Sequence, residues 1–163
     1  MHLTHNPALP LILSLLTGSA VAAETQRPDA LAAPGETAVL TLHAQGEQIY
    51  ECKEGGGGKL RWTFREPVAT LIADGKVAGH HSAGPTWELA DGSAVVGKVV
   101  ASAPGRSAND IPWLKLEVIS HRGKGKLSDI TTVQRINTVG GKLEDACERP
   151  GNTEAMPYAA DYL

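Results

Sequence analysis

The chain has 163 residues, with 15 basic against 18 acidic side chains and a formal charge of −3. That near balance, with the signs interspersed, excludes a general attraction to nucleic acid or to an anionic membrane surface. The length suits one domain, which can bury a core without a structural metal.

The chain opens on a targeting signature. Residues 8–19, ALPLILSLLTGS, form a short apolar run, and Ala20-Val21-Ala22 supplies a small-x-small cleavage pattern. The leading segment carries His2 and His5 but no Lys or Arg. The run is too short to span a bilayer, and no later run reaches transmembrane length. Residues 1–22 are therefore read as a signal peptide cleaved before Ala23 or Glu24, and the mature protein as secreted or periplasmic. A flexible, polar lead-in over 23–37 follows, with Pro28 and Pro34, and then a single β domain over 38–163.

From residue 38 the pattern alternates. In VLTLHA (39–44), Val39, Thr41 and His43 share one face while Leu40, Leu42 and Ala44 share the other. EQIYEC (47–52) resumes after Gly46. KEGGGGK (53–59) is a glycine-rich connection, not a phosphate loop, because no Gly-Lys-Ser/Thr and no helix follow. LRWTFRE (60–66) reads as a strand with Trp62 and Phe64 on one face, Trp62 serving the core. Pro67 is expected to break it before VATLIA (68–73).

Asp74-Gly75 then makes a tight hairpin turn, since both positions tolerate positive φ. VAGHHSAG (77–84), TWEL (86–89) and SAVVGKVVAS (93–102) follow, separated by Pro85 and by Asp91-Gly92, with Gly97 marking a bulge or bend. After the loop APGRSAND (103–110) and Pro112, WLKLEVIS (113–120) shows two faces. Leu114, Leu116 and Val118 are expected to face the core, and Lys115 and Glu117 to face solvent. HRGKGK (121–126) reads as a solvated turn, LSDITTVQRINTV (127–139) as one long strand, and 142–163 as a tail. Six to eight strands at regular spacing, joined by tight turns, predict an all-β fold, an antiparallel meander barrel or sandwich.

Cys52 and Cys147 are the only cysteines, and neither has a Cys or His nearby at the short spacing that metal sites use. In an oxidising compartment such a pair forms one disulfide, closing most of the domain.

Several blocks are distinctive: GHHSAGPTWE, the IPWL block, QRINTVGG and the terminal PYAADYL. Over nearly all of the mature part the chain resembles the exported bacterial and fungal proteins grouped as domain-of-unknown-function family 3455. The resemblance implies export and a β-rich domain, and it brings no catalytic residues with it.

The densest chemistry lies in residues 74–99, DGKVAGHHSAGPTWELADGSAVVGKV. His80 and His81 are adjacent, so on a strand they point to opposite faces. Trp87-Glu88 follows the Gly84-Pro85 break, while Asp74 and Asp91 are accounted for by turns. No GxSxG elbow and no GxGxxG followed by a helix occur. The residues point to an exported binding or envelope-associated domain. It would hold a small molecule or glycan at a concave end lined by His80, His81, Trp87 and Glu88, with Trp113 beside them. No cofactor, metal or nucleic acid partner is read. A hydrolase or metal-dependent enzyme built on His80, His81 and Glu88 is the alternative, and a purely structural cell-surface protein is the third reading.

Overall fold

The alternating segments form eight antiparallel strands, and the last of them returns to the first. The computed structural model describes residues 27–163, so the segment read as a signal peptide lies outside the described residues. The strands are β1 (Leu42–Glu54), β2 (Leu60–Ala73), β3 (Lys76–Ser82), β4 (Thr86–Leu89), β5 (Ala94–Ala103), β6 (Trp113–Arg122), β7 (Thr132–Gly140) and β8 (Thr153–Tyr162). Each pairs with the next in sequence, and β8 pairs with β1, giving a closed barrel in plain meander order. Closure removes the free edges that an open sheet would expose. Among the described residues no helix is long and apolar enough to cross a membrane.

Local chemistry accounts for the turns. Asp74 and Gly75 both have positive φ, 50° and 72°, as the tight β2–β3 hairpin requires. Asp91 accepts hydrogen bonds from Ser93 N, Ser93 Oγ and Lys126 N, so one carboxylate ties the β4–β5 turn to the β6–β7 connection. Gly46 sits where β1 crosses closely over β2. A Cβ there would lie 2.1 Å from the Val68 carbonyl oxygen, a space no side chain can share.

The barrel interior holds Leu42, Ala44, Leu71, Val95, Leu116 and Ala160 among its buried residues. This matches the alternation of β1 and β6, where Leu42, Ala44 and Leu116 are buried and His43 and Glu117 are exposed. A second, smaller cluster of Leu31, Ala103, Trp113 and Ile136 is separate from it. Leu31 comes from a short 3-10 turn (Asp29–Leu31) in the lead-in, which lies against β5 and β6. Gln134 Nε2 donates to the Leu31 carbonyl, Lys115 Nζ to that of Ala32, and Thr131 and Thr132 both donate to Glu36.

The structure departs from the expected elements in four places. Pro67 does not break β2, which runs through it. At that height β2 pairs only with β1, because β3 joins from Ala69 onward, so the missing proline N–H costs no ladder bond. The expected strand 127–139 begins only at Thr132, because Leu127 turns inward and its N–H donates to Ser93 Oγ. The tail contains β8, whose Tyr158, Ala160 and Tyr162 face the interior at every second position. Finally, Phe64 is 49% exposed and Trp62 half-buried, because they lie on the part of β2 that projects with β1 beyond the barrel wall. That projecting hairpin is fastened to the C-terminal segment by the Cys52–Cys147 disulfide, as expected from the sequence.

Candidate functional site

The barrel has a cavity at each end. One mouth is rimmed by Phe64, Arg65, Pro67, the Gly84-Pro85 turn and Pro112, and leads into a cavity of about 470 Å³. A smaller cavity of about 210 Å³ lies at the opposite end, between residues 36–42 and 127–133. Trp87 and Tyr162 line both, so they form the partition between them.

The partition is aromatic and tightly built. The His81 and Trp87 rings stack with centroids 4.5 Å apart and planes inclined by 14°. Tyr162 stands against both, at 5.0 Å from His81 and 5.3 Å from Trp87. Their strand positions explain this: His81 on β3 lies directly opposite Trp87 on β4, and both point inward. The His81 Nδ1 donates to the Thr86 carbonyl at 2.9 Å, which leaves Nε2 as the acceptor of the neutral ring. Burial pushes the His81 pKa down to about 4, and the Arg135 guanidinium adds to the shift. His81 is therefore uncharged near neutral pH.

Arg135 enters the cavity from β7. Its neighbours Gln134 and Ile136 lie on the other face, with the lead-in, so alternation turns Arg135 inward opposite Tyr162. Nε and Nη2 both donate to the Pro112 carbonyl, at 3.1 and 2.9 Å. Among the described residues no carboxylate forms an ion pair with it. Arg65 at the rim does have such a partner, Glu66, at 2.6 Å. The cavity lining contains these two arginines and no acidic residue.

Four buried polar atoms of the interior lack a hydrogen-bond partner: Gln48 Nε2, Trp87 Nε1, and the hydroxyls of Tyr158 and Tyr162. The two tyrosine hydroxyls, Gln48 and Arg135 are close enough to influence one another electrostatically, yet these atoms make no well-formed bond. Burial drives both phenol pKa values upward, so both remain protonated donors.

The five residues singled out from the sequence do not form one group. His81 and Trp87 meet inside the barrel. His80 and Glu88 face each other across β3 and β4 on the outer surface, where Glu88 pairs with Arg122 at 2.6 Å. Trp113 lies in the second cluster beneath the lead-in, with the Arg106 guanidinium 5.6 Å from its ring centroid. Among the described residues no group of three or more His, Cys, Asp or Glu side chains is placed to hold a metal ion. Gln48, Tyr158, Tyr162 and Arg135 lie outside the five residues singled out from the sequence. The four-residue spacing of Tyr158 and Tyr162, which puts both on one face of a strand, was the signal available for two of them.

A closed eight-stranded meander barrel divided by an aromatic partition defines the structural class. The chain belongs to the family described as Protein of unknown function (DUF3455), which matches residues 33–163. No curated protein and no solved structure matches it.

Proposed function

We propose that this protein is an exported small-molecule-binding barrel whose ligand occupies the open-ended cavity above His81, Trp87 and Tyr162. The observation that carries this reading is the cavity itself. Its volume of about 470 Å³ lies in the range of small-ligand sites, and its walls are mainly apolar with a few convergent polar groups. Barrel interiors of this strand number are either filled by side chains or hold one small ligand. Here side chains do not fill the interior, and the larger cavity lies on one side of the aromatic partition. Enclosure by Pro67, Pro85, Leu114 and Leu116 favours a compact apolar molecule over an extended glycan. His81 and Trp87 would form the floor of the site. The signal-peptide pattern and the disulfide support delivery to the periplasm or the medium, where thiols stay oxidised.

An uncharged fluorescent probe, N-phenyl-1-naphthylamine, tests the reading. Saturable binding with enhanced emission is expected, and Leu114→Trp, which fills the mouth, is expected to weaken it by about tenfold or more. Folded protein that leaves the probe dark across the titration removes the proposal.

A further inference from the structure

We infer that the ligand is an anion: a small carboxylic acid with an apolar or aromatic body, its carboxylate directed at Arg135. This deepens the reading above and rests on it.

The argument starts from what the interior lacks. Gln48 Nε2, Trp87 Nε1, Tyr158 Oη and Tyr162 Oη are buried without partners, and each carries a hydrogen to donate. Buried polar groups are rarely left unsatisfied, so four in a single barrel call for a partner. Gln48 Nε2 and Trp87 Nε1 can only donate, and the two tyrosine hydroxyls can donate or accept, so an acceptor-rich molecule suits the set better than a further donor.

Charge points the same way. Arg135 is the cation of the cavity that has no acidic partner among the described residues, and its Nε and Nη2 donate to a carbonyl. A carboxylate accepts in pairs from a guanidinium, and such charge-assisted bonds are about twice as strong as neutral ones. The net charge of the chain is −3, yet the cavity is lined by two arginines and no acid. The cavity therefore inverts the sign of the whole molecule, which draws an anion to the mouth and disfavours cations. The apolar body of the ligand is set by the walls: Phe64, Pro67, Pro85, Val99, Leu114 and Leu116.

Two probes that differ only in the head group test this. Calorimetric titration of the full mature chain at neutral pH would compare 4-phenylbutyrate with 4-phenyl-1-butanol. The acid is expected to bind about tenfold or more tightly than the alcohol. Arg135→Gln is expected to bring the acid down to the level of the alcohol while leaving the alcohol nearly unchanged. Arg135→Lys should keep part of the preference. Circular dichroism verifies that each variant folds, and the comparison in the unsubstituted protein stands without them. Equal affinity for acid and alcohol, or an acid preference that survives in folded Arg135→Gln, overturns the inference. Binding of N-phenyl-1-naphthylamine without binding of the acid overturns it too, while leaving the cavity reading in place. If none of the three probes binds, both fail.

Discussion

His81 is buried against Trp87 and Tyr162 with no carboxylate paired to it among the described residues, and its acid response follows from that. In the unfolded chain its pKa is near 6.5, whereas in the fold burial holds it at about 4. Below pH 6.5 the unfolded state therefore takes up a proton that the folded state refuses. Stability is unaffected above that pH, falls as pH drops from 6.5 toward 4, and levels off once the folded ring also protonates. The shift corresponds to a loss on the order of 3 kcal/mol across that window. Urea unfolding between pH 7 and pH 4 should show this decline, and His81→Gln should flatten it. An unchanged slope in that variant would assign the decline to other groups. His80, one residue away and exposed, has no such environment, because alternation on β3 sends neighbours to opposite sides of the wall.

At the scale of elements, the lead-in and β8 changed most between sequence and structure. The lead-in has no periodic pattern, because a strap that touches the barrel at one apolar residue needs none. Leu31 alone is fully buried, between Trp113, Ala103 and Ile136. Leu31→Ala is expected to cost about 3 kcal/mol through lost burial and the cavity left behind. The fall in the urea midpoint would measure it, and a change under about 0.5 kcal/mol would mean that the strap is incidental. Trp113 was legible as a valuable aromatic, but its role under the strap was not, since the strap that covers it lies some 80 residues away. β8 was hidden by Pro157 and by Ala155, Ala159 and Ala160. Alanine has low strand preference, and Ala160 alone of the three is buried in the interior, between Tyr158 and Tyr162.

For the whole molecule, closure is the organising fact. The Cys52–Cys147 bridge spans 95 residues and joins the hairpin that projects from the mouth to the segment entering β8. A loop of that length limits the unfolded chain by about 4–5 kcal/mol in the chain-entropy picture. The double substitution Cys52→Ser with Cys147→Ser should lower stability by that order in denaturant titration. Reductant should destabilise the parent protein and leave the double variant unmoved. Equal stability of parent and variant would show that barrel closure alone holds the mouth.

The sequence by itself determined the class and most of the wall. Alternation, Asp-Gly turns and regular breaks are local signals, so the all-β meander, the tight β2–β3 turn and the inward residues of β1 and β6 could be read directly. So could the disulfide, because two cysteines allow one pairing. What only the tertiary structure decided was which strands close the ring and what gathers inside it. Gln48, His81, Trp87, Arg135, Tyr158 and Tyr162 come from five strands spread over more than a hundred residues. Their meeting depends on strand order and register around the barrel, and no local pattern encodes that. Residues 74–99 supplied only the floor of the cavity; its cation and most of its unpartnered donors come from elsewhere in the chain.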